Sequence, residues 1–118
     1  MSDSVSISIS KLHGYLIDER NSGPLTEIPA ALYEEVQTEL SALIYEARSM
    51  DDPFGERVQI LLKERESLRE YIRDIYAERT RKIFSLALAK ATGEEINREE
   101  LRSMVPRERS LFEIVADS

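Results

Sequence analysis

At 118 residues the chain has room for one hydrophobic core and not for a second full domain. Apolar residues make up 42% and charged residues 33%, a charge excess typical of exposed helix surface, while the lack of cysteine and a single histidine, His13, exclude disulfides, thiolate metal sites and a histidine pair for zinc. A net charge of -7 argues against DNA binding as the main task, and the short apolar runs and an N-terminus without a basic-then-apolar pattern predict an intracellular protein with no membrane span.

Residues 4–9 alternate polar and apolar, but no second strand-like run exists to pair with them, so a helix capped by Ser8 or Ser10 and running to about Arg20 is the better expectation. Its buried side is expected to carry Ile9, Leu12, Tyr15 and Leu16. Asn21, Ser22, Gly23 and Pro24 mark a turn, and Pro29 fits the first turn of a second helix from about Pro29 to Met50. The apolar positions there, from Leu32, Tyr33 and Val36 through Leu40, Leu43 and Ala47, recur at three and four and define one face. Asp51 to Gly55 separates it from the next element.

No glycine or proline interrupts Glu56 to about Ala91, which predicts a helix about 54 Å long at 1.5 Å per residue. Two shorter helices cannot cover such a length, so part of its apolar face is expected to meet another subunit. Thr92 and Gly93 end it, Gly93 being free to take the left-handed conformation. Asn97 then caps a short helix through Met104, with Glu100 placed for a capping box, and Pro106 opens a last segment whose apolar positions are Leu111, Phe112 and Val115. The expected fold class is all-α: a helical bundle built around one long central helix.

The charge is uneven. Residues 18–52 hold nine acids against two bases, while residues 56–82 hold eight bases and six acids. Several pairs among the latter are spaced for ion pairs along a helix surface: Glu66 with Arg69, Glu70 with Arg73 and Glu78 with Lys82. Arg65 and Arg79 differ, because they fall where the rhythm of Val58, Leu61, Leu68, Ile72, Ile75 and Leu86 expects apolar residues. Their stems are therefore expected inside, with their guanidiniums on carboxylates of another helix or subunit. Inward arginines on long helices also suit a small all-helical enzyme of the chorismate mutase type, but only Lys11, His13 and Arg20 on the first helix could complete such a site. Adjacent acids such as Glu34 and Glu35 or Asp51 and Asp52 point apart on a helix and do not make an acid/base pair. No glycine-rich phosphate loop or GxSxG elbow is present, and no catalytic, cofactor-binding or metal-binding residue is expected.

Three stretches resemble the GINS family of replication subunits. The run Leu25-Thr26-Glu27-Ile28-Pro29-Ala30-Ala31-Leu32-Tyr33 is similar to the junction of that family's first two helices. Leu68 to Leu88, with Arg79-Thr80-Arg81-Lys82-Ile83-Phe84-Ser85-Leu86, resembles its long helix, where a basic cluster precedes an apolar stretch. Val105-Pro106-Arg107-Glu108-Arg109-Ser110-Leu111-Phe112 resembles the segment that follows. The resemblance, to archaeal members, implies a helical A-type domain over residues 1–104 and a C-terminal helical segment or linker over 105–118. It implies no enzymatic activity but assembly into a tetramer, with itself or a paralogous subunit, as a scaffold for DNA replication. The partners implied are an MCM-type replicative helicase and a RecJ-like protein, in the cytoplasm at the nucleoid, with weak or indirect DNA contact. The family's β-rich B-type domain has no room before Ser118, so contacts made through it are not expected of these residues. On this resemblance Leu25, Ile28, Pro29 and Tyr33 would fix the helix junction. Leu68, Ile72, Ile75, Arg79, Lys82, Ile83 and Leu86 would form the subunit contact, which reversal of Arg79 and Lys82 to glutamate would dissociate. A generic helical dimerisation module is the remaining alternative.

Overall fold

The structure, a computed structural model, describes residues 7–117, so the start of the alternating run at residues 4–6 lies outside the described residues. Those described form five helices and no strand: α1 (Ile9–Asn21), α2 (Leu32–Arg48), α3 (Glu56–Ala91), α4 (Arg98–Arg102) and α5 (Pro106–Ala116). The fold is all-α, and no helix among the described residues is long and apolar enough to cross a membrane.

Local chemistry sets most of the boundaries. Ser8 caps α1, its Oγ accepting from the Lys11 amide at 3.1 Å. The start of α2 falls three residues later than expected, because the Pro29 carbonyl accepts from the Leu32 amide and closes a turn before the helix begins. At the end of α3, Gly93 has φ 90°, the Glu94 amide reaches the Ala89 carbonyl and the Gly93 amide reaches the Lys90 carbonyl, the paired bonds of a Schellman stop. Asn97 caps α4 through the Glu99 amide at 2.8 Å. Glu100 departs from the capping-box expectation: it reaches across to the Leu25 amide at 3.0 Å and ties α4 to the α1–α2 connection.

The 36 residues of α3 carry the other helices, with α1, α2 and α5 each packed on it, and the molecule measures 60 × 26 × 24 Å. Its α2 neighbour runs antiparallel to it, so that Glu46 meets Arg57, Leu40 meets Arg65 and Tyr33 meets Tyr76. In contrast, α1 runs alongside in the same sense, with His13 stacked on Tyr71 at 4.9 Å and Glu19 on Arg79 and Lys82. The far end of the α2–α3 hairpin therefore extends beyond α1 as a two-helix tip.

Two apolar clusters result. The larger joins Leu12 and Leu16 of α1, Leu32, Val36, Leu40 and Leu43 of α2 and Val58, Leu61, Leu68 and Ile75 of α3. The smaller joins Leu25, Ile83, Ala87, Met104 and Phe112. Phe112 and Glu108 of α5 are buried, so this helix, expected as a C-terminal helical segment or linker, is packed into the same body as the rest.

Candidate functional site

Between the two apolar clusters lies a seam of buried charge. On α3 the apolar positions Ile75 and Ile83 flank Arg79 and Lys82, and this step along the helix is where one cluster gives way to the other. Arg79 and Glu19 are wholly buried, Glu108 is 2% exposed and Lys82 6%. Two acids and two bases make the set neutral, the condition under which charge is tolerated inside a protein.

Every donor of the Arg79 guanidinium has a partner. Nε and Nη2 hold the two oxygens of Glu108 at 2.7 and 2.8 Å, a fork-to-fork pair that only arginine can make. Nη1 donates to Glu19 Oε1 at 2.8 Å and to the Thr26 carbonyl at 2.7 Å, and Nη2 also donates to the Ser103 carbonyl at 2.9 Å. These five bonds use all five N–H groups of the side chain. Lys82 Nζ lies 2.7 Å from Glu19 Oε2 and donates as well to the carbonyls of Glu19, Ser22 and Pro24, gathering the α1 C-terminus and the turn behind it.

The carboxylates are equally well met. Glu19 accepts from Arg79, Lys82 and both the amide and the hydroxyl of Thr26. Glu108 accepts from Arg79 twice, from the Tyr33 hydroxyl at 2.7 Å and from the Val105 amide at 3.1 Å, so it caps its own helix while joining the seam. Among the described residues no buried side-chain nitrogen or oxygen lacks a partner.

Electrostatics follow from this geometry. Burial alone would raise the Glu19 carboxyl, but the hydrogen bonds of Lys82 and Thr26 and the charge of Arg79 outweigh it and hold the group below the usual carboxylate range. Burial likewise opposes the charge of Arg79, yet Glu108 and Glu19 overcome it and push that group up. For Tyr33, burial comes first and the charge and hydrogen bond of Glu108 add to it, so the phenol is held neutral far into alkali.

The residues expected at a subunit contact divide. Leu68, Ile75, Arg79, Lys82 and Ile83 are buried inside the chain itself, as are Leu25, Ile28 and Tyr33, whereas Pro29, Ile72 and Leu86 are half-buried. Reversing Arg79 and Lys82 is therefore expected to unfold the chain rather than to separate subunits. Arg65 is half-buried, but it meets the Leu40 carbonyl at 3.4 Å instead of the expected carboxylate. The surface pairs are also redistributed: Arg69 holds Glu66 as expected, whereas Arg73 turns to Asp74 and Arg81 takes Glu78, since Lys82 is inside.

Sequence reasoning found Arg79 and missed its partners, Glu19 and Glu108. The signal was the same in all three. Glu19 continues the spacing of Leu12 and Leu16, and Glu108 lies between Val105 and Phe112 at three and four, so each is a charge standing in an apolar rhythm.

No group of histidine and acidic side chains among the described residues is arranged to hold a metal ion. No protein-family model matches the chain, and comparison with curated proteins and with solved structures yields no match to either.

Proposed function

We propose that the chain is a helical assembly subunit that works by binding other proteins, with a role like that of a GINS A-type domain in a tetrameric scaffold for the replicative helicase. The observation that carries this reading is the apolar surface that the chain's own helices leave uncovered on α3. Phe84 and Leu88, one turn apart and so on one face, are 42% and 60% exposed. Nearer the tip Ile60 and Leu62 are exposed on the same helix. Large apolar side chains in sequence along one element suit a partner surface better than solvent. The resemblance of the Arg79 to Leu86 stretch to the GINS long helix is what suggests this kind of assembly.

Of the two arginines on which a mutase-type site would draw, Arg65 and Arg79, the second has all five donors engaged within the fold and none to offer a dicarboxylate. The seam's role in this reading is to fix the scaffold, and the exposed face does the binding.

Light scattering coupled to size exclusion, over a concentration series, tests the proposal. A dimer or tetramer that Phe84→Glu with Leu88→Glu converts to a folded monomer supports it, as does co-purification with an MCM-type helicase subunit. A strict monomer that captures no helicase subunit refutes it.

A further inference from the structure

A different surface, on the other side of the seam, carries a second binding assignment. A groove of about 240 Å³ runs between α2, α3 and the start of α5, with Tyr33, Val36, Leu40, Ile72 and Tyr76 among the residues that line it. It is contiguous with a second depression of about 480 Å³, because Tyr33, Gln37 and Arg107 line both. The second half is more polar, with Thr38, Ser41 and Glu34 along it. The two depressions adjoin, the first the more apolar and the second the more polar.

Two arginines stand on the apolar half, Arg73 of α3 and Arg107 of α5. The Arg107 guanidinium lies 5.3 Å from the centre of the Tyr33 ring, and the Tyr33 and Tyr76 rings meet edge to face at 5.9 Å. Both arginines are exposed, and their acidic neighbours are held loosely, Glu34 at 3.6 Å from Arg107 and Asp74 at 3.5 Å from Arg73. Asp74 is shared besides with Arg20 at 3.4 Å. Exposed pairs of this kind contribute little and are readily exchanged for a better acceptor. The groove floor, in contrast, is rigid, since the Tyr33 hydroxyl is anchored in the seam on Glu108.

We infer that this groove binds an acidic peptide segment of a partner protein, with an aromatic or leucine side chain seated on Tyr33, Tyr76 and Ile72 and its flanking carboxylates on Arg73 and Arg107. Charge complementarity selects this occupant. In a chain of net charge -7 both Arg73 and Arg107 line the apolar half, whereas the acids beside them, Asp74 and Glu34, are not among its lining residues. Beyond about 8 Å at physiological salt the overall negative charge is screened, so the local arginines decide the contact. Tyrosine and arginine around an apolar centre are the residue types that dominate binding energy at interfaces, and arginine pairs are a recurring way to read acidic segments. The assignment does not depend on self-assembly, because peptide binding and solution mass are read separately.

Fluorescence anisotropy with a labelled peptide of sequence Asp-Glu-Phe-Leu-Asp-Asp-Leu-Phe-Asp-Glu tests it. The expectation is saturable binding with Kd on the order of 10 μM, weakened several-fold between about 50 and about 300 mM NaCl. Arg73→Ala and Arg107→Ala are each expected to weaken it about fivefold and together at least about twentyfold, with the melting temperature unchanged because neither residue joins the seam. Amide shifts at Gln37, Ile72 and Tyr76 in NMR spectra should place the peptide in the groove. No saturation below about 1 mM, or undiminished binding by the double variant, overturns the proposal. So does equal binding of a peptide with every acid replaced by its amide. If phenylsuccinate shifts the same amides and the peptide does not bind, the groove belongs to a small carboxylate instead.

Discussion

At the α2–α3 tip, Leu43, Ala47, Val58 and Leu61 close a two-helix contact with apolar side chains, while about five turns farther along α3 the packing passes through four buried charges. The tip tolerates much exposed apolar matter, with Phe54 86% and Tyr45 75% exposed. The seam tolerates nothing unpaired. Apolar contact is non-directional, and it holds two helices together wherever their faces meet. A guanidinium with five specified acceptors admits one arrangement of the turn at Thr26, the Ser103 carbonyl and the first turn of α5. The tip supplies adhesion, and the seam specifies which segments lie together.

Substitutions at the two places separate these roles. Arg79→Ala leaves Glu19 and Glu108 buried with their principal counter-charge gone, and a loss of about 3–5 kcal/mol in urea unfolding is expected, enough to abolish folding in a domain of ordinary stability. Arg79→Lys is expected to recover only a minor share, since an ammonium cannot hold Glu108 in two parallel bonds. Leu61→Ala, in the tip, should cost about 3 kcal/mol through transfer and cavity terms. The chain is expected to keep the α5 contacts and lose hydrogen-exchange protection first in the hairpin.

Acid provides a third probe, read in the seam at Glu19. The Glu19 carboxyl titrates below its ordinary value of 4.5 in the folded chain, so its stabilisation is complete above that pH and is lost as pH falls through the folded value. Thermal melts between pH 7 and pH 3 should show it. Glu19→Gln is expected to cost about 2 kcal/mol at neutral pH and to flatten the acid limb, and an acid limb as steep as the parent's would remove Glu19 as its source. The opposite limb belongs to Tyr33, whose raised value means that stability is kept below pH 10.0 and declines above it as the unfolded phenol ionises. Tyr33→Phe should cost about 1 kcal/mol and remove that decline. Phe54→Ser, at the exposed tip, is expected to change stability by less than about 0.5 kcal/mol.

The same contrast explains how far the sequence could be read. Apolar spacing and turn residues are local, and they placed α1, α2 and α3 within a turn of where the structure has them. The stop at Gly93 and the cap at Asn97 were legible for the same reason, and Ser8 was one of two candidates for the cap of α1. The seam was half legible. Arg79 stood out as a charge in an apolar rhythm, but its acceptors come from 53 to 60 residues before it and 24 to 29 after it, and no local pattern encodes such partners. Lys82 was assigned to Glu78 by helical spacing, whereas the buried side won because Glu19 and three carbonyls together outweigh one half-buried carboxylate. The groove was illegible, since Arg73 and Arg107 come to line one depression only through tertiary packing.

One consequence concerns the order in which the chain is made. Synthesis proceeds from the N-terminus, so Arg79 emerges with Glu19 and Thr26 already available but with Ser103 and Glu108 still to come. Until α5 is released, the guanidinium faces water with several of its donors unmet, and Tyr33 lacks its acceptor. A nascent chain stalled before Val105 should therefore remain open to proteases along α3, and closure should arrive late, when α5 brings Glu108 and Phe112 into place.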